Sequence, residues 1–180
     1  MILGIEGLSK AGKTTFINKF LEKYPDTIRF RGAGSVNIGI QQRWQEYNFW
    51  MHNIIEQLDK LNNHDPIIMW DRFITDAVHS TDESYSTEIL RATKSHKRKA
   101  IIYIDVNETI LEERGSKEGD SLSSRREAYL KTLKSFDHLI IKPEEKDNWY
   151  ITDAHIEKAA HFINFISNPS TNNLIQKDPY

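Results

Sequence analysis

Residues 7–15 read Gly7-Leu-Ser-Lys-Ala-Gly12-Lys13-Thr14-Thr15, and this stretch decides the fold. It follows a short apolar run, Ile2–Ile5, and precedes a segment whose apolar residues repeat with helical spacing. Two glycines let a backbone wrap closely around an anion, so that successive N–H groups point inward as a nest. The helix that starts near Lys13 adds the positive end of its dipole. The sequence therefore predicts that this stretch binds phosphate.

The stretch fits G-x-x-x-x-G-K-[ST], the pattern of the phosphate-binding loop or P-loop, at every fixed position. Its setting after a strand and before a helix is the one that the pattern requires. We expect Lys13 to reach the β- and γ-phosphates of ATP and the Thr14 hydroxyl to bind Mg²⁺. The expected cradle residues are Gly7, Ser9, Lys10, Ala11, Gly12, Lys13, Thr14 and Thr15.

Short apolar runs recur along the chain, and each ends in a polar residue. The predicted strands are Ile2–Ile5, Thr27–Phe30, Ile67–Trp70, Ala100–Ile104 and Trp149–Ile151. Helical patterns alternate with them, which predicts an α/β protein with the three-layer P-loop NTPase fold. In this fold a five-stranded parallel sheet carries helices on both faces. Because the crossover connections are right-handed, all strand C-termini and the site lie at one edge.

Apolar stripes with helical period predict the helices at 16–21, 36–61, 129–136 and 156–166. The longest stripe includes Trp44, Tyr47 and Met51, which we expect to face the core. Off the stripe, Arg43, Gln45, Phe49 and Trp50 are the better candidates for contact with a nucleotide base.

Composition excludes several classes of protein. Charged residues make up 28% and apolar residues 38%, and the formal net charge of −2 gives no general attraction to nucleic acid or an anionic membrane. Nucleic acid is thus an improbable partner, although a local basic patch would permit it. The absence of cysteine removes thiolate catalysis and disulfides and fits a reducing compartment, so we expect a cytoplasmic protein. The seven histidines lack zinc-site spacing, and we expect them to be solvated or locally hydrogen-bonded.

The domain organisation is predicted to be simple. The start of the chain lacks a basic leader, and no apolar run is long enough to span a membrane. We expect one kinase domain over 1–166, with a lid at about 115–123 and a polar C-terminal tail at 167–180. Motifs of GTPase switches are missing, and Asp82-Glu83 does not end a strand as the Asp-Glu pair of motor ATPases does. These absences favour a small-molecule kinase.

Further motifs occur in an order that resembles the thymidylate kinase family. The segment Glu6–Thr15 is similar to that family's P-loop almost position by position. Asp71-Arg72-Phe73 follows a strand as the family's Asp-Arg-Tyr/His motif does. Tyr103–Val106 resembles the next strand, followed by the lid region. Tyr150–Ala154 resembles the last turn, where relatives hold the adenine. The likeness covers about 1–166 and implies an ATP-dependent nucleotide kinase.

The resemblance implies roles for single residues. Arg72 would clamp the phosphate of the acceptor, and Asp71 would help Thr14 to hold Mg²⁺. An ordinary ion pair at a strand end is the alternative for Asp71 and Arg72. Lys10 and Arg114 occupy positions where family members place a cation that stabilises the transition state. The catalytic candidates are Lys13, Arg72, Lys10, Asp71 and Arg114, with Lys117, Arg125 and Arg126 as more speculative lid cations.

Two departures from the family pattern fall on the acceptor side. Ser9 stands where an Asp often meets the 3′-hydroxyl of the acceptor. The stretch from Arg31 to Ser35 retains the arginine of the usual Arg-Glu-Pro but lacks its carboxylate and proline. The expected substrate contacts are Ser9, Arg31, Arg43, Phe49 and Arg72.

Three functions stay open on the sequence alone. The leading hypothesis is transfer of the γ-phosphate of ATP to a (deoxy)nucleoside monophosphate, a small-molecule nucleotide substrate. The second is a kinase that acts on a hydroxyl of a nucleoside, or of a modified base in nucleic acid, with Glu6 or Asp71 as the base. The third is a nucleotide-binding regulator without transfer activity. The resemblance also implies a possible homodimer through the long helix.

Overall fold

A computed structural model of the chain describes residues 1–31, 50, 52–53, 67–80, 83–96, 98–116, 121–144 and 148–167. Its strands are β1 (Ile2–Glu6), β2 (Ile28–Arg31), β3 (Ile68–Asp71), β4 (Lys99–Ile104) and β5 (His138–Ile141). Its helices are α1 (Lys13–Lys23), α2 (Thr75–His79), α3 (Glu83–Ser95), α4 (Glu108–Glu113), α5 (Leu122–Leu133) and α6 (Asp153–Ser167).

The five described strands form one parallel sheet in the order β2-β3-β1-β4-β5. The central strand β1 is apolar except for its last residue and is buried throughout, as a strand covered on both faces must be. Its register sets Ile5 beside Asp71 of β3, and Asp71 beside Arg31 of β2. The carboxyl ends of the strands therefore meet at one edge, as predicted.

Helices cover both faces of this sheet. On one face α1 packs on β1 and β3 and contacts α6, which contacts β5. Exposed ion pairs join these two helices, Lys19 to Asp153 and Lys23 to Glu157. On the other face α2 contacts α3 and α5. The three-layer fold predicted from the alternating strands and helices is confirmed.

The prediction of the fifth strand is wrong. Residues 149–151 form part of a turn and an irregular segment, because Asn148 and Trp149 adopt positive φ angles of 50° and 59°, which an extended strand excludes. Ile151 is nevertheless buried in the core. The fifth strand is β5, which pairs with β4 from Ile101–His138 to Ile104–Ile141.

The other predicted helices lie only partly within the described residues. α1, α5 and α6 lie where apolar stripes predict helices. Nearly all of the long helix predicted over 36–61 lies outside the described residues, although residues 50, 52 and 53 are helical. The centre of the predicted lid, 117–120, and the tail beyond Ser167 also lie outside them. Helix α3 was not predicted, because its buried face carries only Tyr85, Ile89 and Thr93, one residue per turn.

Two histidines differ from the prediction. His52 and His96 are buried, and His52 Nδ1 lies 2.9 Å from His96 Nε2, across 44 residues of chain. The ring of His52 also packs on Trp70 and Phe73. This contact is neither solvated nor local, so the prediction is wrong for this pair. Among the helices of the described ranges, none is long and apolar enough to cross a membrane.

Candidate active site

The loop after β1 takes the shape that its glycines predict. Gly12 has a φ of +98° and caps α1, and Lys10 is also left-handed at +65°. Gly7 has a φ of +145° and lies so close to β4 that an added Cβ would stand 2.7 Å from the carbonyl oxygen of Ile104. The Ala11 N–H closes a turn on the Leu8 carbonyl at 3.2 Å. Close approach and left-handed backbone together form the cradle.

Lys13 is held inside this loop. Its Nζ donates to the carbonyl oxygens of Gly7 at 2.7 Å and Leu8 at 2.8 Å, and the side chain is 8% exposed. These bonds keep a buried ammonium satisfied at the centre of the cradle. Lys13 is thus placed where its charge would meet a phosphate bound to the loop.

The first turn of α1 presents its donors to the same space. Thr14 and Thr15 are exposed, and neither of these residues nor Lys13 nor Phe16 is acidic, so no carboxylate of that turn opposes an anion. Ser9 is half-buried, Ala11 is buried and Lys10 is exposed. Phosphate binding by residues 7–15 stays a prediction.

Arg72 follows β3 beside this loop. It has a φ of +69°, which is costly for a residue with a side chain, and its N–H donates to the Ile5 carbonyl at 3.1 Å. The carboxylate of Glu6 holds Ile74 and Thr75, the last two residues of the same turn. Its Oε1 accepts the Ile74 N–H and its Oε2 the Thr75 hydroxyl, each at 2.7 Å. The half-buried Arg72 therefore stands on a turn fastened to β1.

Glu6 is close enough to Lys13 and Arg72 to be influenced by both charges. Burial raises the pKa of this carboxyl to about 7, although hydrogen bonds from Thr75 and Ile74 and the charges of Lys13 and Arg72 lower it. Tyr129 donates to Thr75 Oγ1 at 2.9 Å and completes the buried network. Because Glu6 is fully buried and both its oxygens accept hydrogen bonds, it has no access to a substrate proton.

Asp71 ends β3 and is 5% exposed. Arg29 of β2 reaches its Oδ2 at 3.3 Å and also donates to Asn18 of α1 at 3.3 Å. Arg31 is the last residue of β2 and lies opposite Asp71 in register. The oxygen donors of Thr14 and Asp71 fit the ligand preference of Mg²⁺. No group of three or more metal-ligating side chains occurs in the described part of the chain.

Arg114 caps α4 and crosses to the P-loop. Its Nη1 donates to the Lys10 carbonyl at 3.3 Å, and its Nη2 donates to the Trp149 carbonyl. The guanidinium also lies 5.0 Å from the ring centroid of Tyr150, a contact of the cation–π kind. Tyr150 is 64% exposed, so this pair forms an open aromatic and guanidinium surface beside the loop.

Arg126 is engaged in a different contact from the one expected of a lid cation. Its Nε and Nη2 donate to Asp105 at 2.6 and 2.7 Å, a bidentate pair that ties α5 to the end of β4. Both residues line a cavity of about 510 Å³ together with Asn107, Lys142 and Trp149. Arg125 is half-buried.

Some contacts escaped the sequence analysis. Arg29 was not predicted because a charged residue in an edge strand is usually exposed to solvent. Its apolar neighbours in the strand could nevertheless have indicated that its charge needs a partner. The Asp105–Arg126 pair and the Glu6–Thr75–Tyr129 network join residues far apart in sequence, and no spacing rule signals them. The candidates Arg43 and Phe49 lie outside the described residues.

Comparison with solved structures adds to this picture. The chain is similar to thymidylate kinase from Candida albicans, with 15% identity and a TM-score of 0.60 over 93% of this chain and 92% of that one. It is similar to the YorR protein from Bacillus subtilis, solved with phosphorylated GDP, with 14% identity and a TM-score of 0.58 over 93% and 98%. Deoxyadenosine kinase from M. mycoides, solved with dATP, gives 18% identity and a TM-score of 0.51 over 91% and 99%.

No protein-family model matches the chain, and no curated protein sequence matches it. At identities this low, likeness in structure establishes the fold and leaves the reaction to be argued from the site. The likeness to these structures extends over more than nine tenths of the chain and therefore includes its five-stranded parallel sheet. The chain has the fold of the thymidylate kinase-like P-loop kinases.

Proposed function

We propose that this protein is an ATP-dependent (deoxy)nucleoside monophosphate kinase. The observation that carries the proposal is the position of Arg72, on a turn bonded to β1 directly beside the phosphate cradle. A guanidinium fork suits a phosphate dianion, and neighbouring strand ends would hold donor and acceptor phosphates together. An oxygen of the acceptor phosphate would attack the γ-phosphorus, while the bond from that phosphorus to the β,γ-bridging oxygen breaks and releases ADP.

The carboxylates near the cradle favour a monophosphate over a hydroxyl as acceptor. A hydroxyl needs a base to take its proton, whereas a phosphate dianion carries none at the attacking oxygen. At the described strand ends Glu6 binds Ile74 and Thr75, Asp71 binds Arg29, and Asp105 binds Arg126. Glu6 is also buried away from any substrate. Since each of these three carboxylates is already hydrogen-bonded or ion-paired, their contacts support an acceptor that needs no base.

Each remaining site residue has a role in this proposal. Lys13 would exchange its two loop carbonyls for phosphate oxygens, and Thr14 and Asp71 would hold Mg²⁺. When bound, Mg²⁺ would offset the negative charge of the phosphate oxygens. Lys10 is an exposed cation on the loop, and Arg114 bonds the loop backbone. We assign Arg114 and Tyr150 to the adenine rather than to the γ-phosphate, because their stacked surface suits a base.

Incubation of the purified protein with ATP, Mg²⁺ and a panel of nucleoside monophosphates and nucleosides tests the proposal. We expect a diphosphate product from at least one monophosphate, with thymidylate or another pyrimidine nucleotide first. The Arg72→Ala variant should raise the acceptor KM and lower turnover, and Lys13→Ala should lower turnover on the order of 10²- to 10³-fold. The absence of a diphosphate from every monophosphate would refute the proposal.

The second candidate is a nucleoside kinase, and the replacement of the family's Asp by Ser9 is the observation in its favour. Its acceptor would be a nucleoside hydroxyl, or a hydroxyl on a modified base in nucleic acid. Products from nucleosides alone would establish this reaction. ATP binding without any product would instead indicate a regulator.

The absence of cysteine supports a reducing compartment, and the resemblance to thymidylate kinases supports a dimer. We propose that the protein acts in the cytoplasm and that it pairs as a homodimer through the helix predicted over 36–61. Sedimentation of the full chain measures the second point, since a monomer at working concentrations would contradict it.

A further inference from the structure

The turn that carries Arg72 is held in a conformation that it would not adopt alone. A left-handed conformation is unfavourable for a residue with a side chain and persists only where its surroundings impose it. Arg72 has this conformation, with φ at +69°, immediately after β3. The contacts that impose it therefore decide where the guanidinium stands.

These contacts come from the last two residues of β1. The Ile5 carbonyl accepts the Arg72 N–H at 3.1 Å. The Glu6 carboxylate accepts the Ile74 N–H and the Thr75 hydroxyl, both at 2.7 Å, and so fixes the turn on its other side. Three hydrogen bonds thus fasten a four-residue turn to one strand end.

Glu6 also begins the phosphate loop, because Gly7 follows it directly. Its backbone is fixed in the sheet opposite Tyr103, and its side chain is fully buried. A carboxylate in this position connects the two halves of the site rigidly. A buried network whose polar members are satisfied restricts its parts to one arrangement.

We propose that Glu6 is a positioning residue that sets the Arg72 turn against the phosphate loop, so that Arg72 meets the phosphate of the acceptor. Glu6 acts through Ile74 and Thr75 and does not touch the substrate. Tyr129 supports it by orienting the Thr75 hydroxyl, to which it donates at 2.9 Å. The assignment rests on the proposed function, since it gives Arg72 the acceptor's phosphate.

The test is a double-mutant cycle read by steady-state kinetics. Glu6→Gln and Thr75→Val are each made alone and in the Arg72→Ala background. Each single variant should raise the acceptor KM about tenfold, the effect of one well-placed hydrogen bond, while the KM for ATP changes less than about threefold. Neither Glu6→Gln nor Thr75→Val should raise the acceptor KM further when Arg72 is already alanine.

A merely structural role gives a different pattern. The KM for ATP would then rise as much as the KM for the acceptor, or the rise in acceptor KM would persist in the Arg72→Ala background. Either result overturns the assignment. Thr93→Val is the matched control, because Thr93 is a buried threonine of α3 that bonds only the carbonyl of Ile89 within its own helix. If Glu6→Gln does not fold, the Thr75→Val arm of the cycle decides.

Failure of the proposed function is distinguishable from failure of this assignment. If the wild-type protein phosphorylates no monophosphate, the proposed function is wrong, and the cycle is measured on the Kd for inorganic phosphate with ADP present. Arg72-dependent binding that weakens about tenfold in Glu6→Gln supports the positioning role. Binding that Glu6→Gln or Arg72→Ala leaves unchanged overturns it.

Discussion

At the scale of single residues, the site is organised around buried charges that already have partners. Lys13 bonds two carbonyls of its own loop, and Glu6 accepts hydrogen bonds from Ile74 and Thr75. A phosphate that enters the cradle can replace the carbonyls as acceptors, because the lysine side chain is long and rotatable. The hydrogen bonds of Lys13 thus satisfy its buried charge within the loop itself.

Replacement of Lys13 by alanine should lower turnover on the order of 10²- to 10³-fold, because one positive charge facing the transferred phosphoryl group is lost. The release of ADP measures this. Lys19→Ala is the matched control on the same helix, since Lys19 makes an exposed pair with Asp153 that contributes little. Equal losses in both variants would show that Lys13 acts only through the helix.

The free energy of unfolding should depend on pH through the ionisation of Glu6. Its folded-state pKa of about 7 exceeds the ordinary value of 4.5, so the folded protein binds this proton more tightly than the unfolded chain does. The contribution is complete below pH 4.5 and is lost at roughly 1.4 kcal/mol per pH unit as pH rises to 7. Urea unfolding of Glu6→Gln should lack this slope, and an identical slope in both proteins would contradict the burial of the carboxylate.

At the scale of elements, bidentate contact between Asp105 and Arg126 joins α5 to β4. The Asp105 side chain is 5% exposed, while that of Arg126 is 37% exposed. Arg126→Ala should therefore cost about 2–3 kcal/mol, since it leaves a buried carboxylate unpaired, and Asp105→Ala only about 1 kcal/mol, since the arginine can be solvated. Chemical denaturation measures both free energies, and the reverse order would contradict this asymmetry.

The free energy of unfolding should also depend on pH through the buried imidazole of His52. Burial, together with the neighbouring His96, lowers the pKa of His52 to about 3, below its ordinary 6.5. The stabilisation is present above pH 6.5 and is lost at roughly 1.4 kcal/mol per unit as pH falls towards 3. The difference in unfolding free energy between His52→Phe and wild type isolates this effect from that of Glu6. A difference that stays constant from pH 7 to 4.5 would contradict it.

At the scale of the whole molecule, the fold was largely predictable from the chain. Four strands show as apolar runs that end in polar residues, and the P-loop fixes how the first joins its helix. Trp149–Ile151 misled because only Ile151 of its three residues is buried in the core and the backbone is not extended, while β5 was hidden by the exposed His138 at its start. A short apolar run thus establishes neither the burial of each residue nor an extended backbone.

The site was predictable only in part. Lys13, Arg72 and Asp71 come from motifs whose neighbours in sequence are also neighbours in space. Arg29 and Tyr129 come from parallel pairing and helix packing, which bring distant residues together without a local signal. The sequence thus predicts the residues of the loop and of the strand ends, but not the distant residues that contact and support them.

Label tracing in a single turnover tests the central claim most directly. Excess protein is mixed with ATP labelled in its γ-phosphate, Mg²⁺ and each nucleoside monophosphate in turn, and the products are separated. The account predicts that the label appears as the terminal phosphate of a nucleoside diphosphate, and that Lys13→Ala and Arg72→Ala suppress this transfer. Label recovered only as inorganic phosphate, or on the hydroxyl of an added nucleoside, would contradict it.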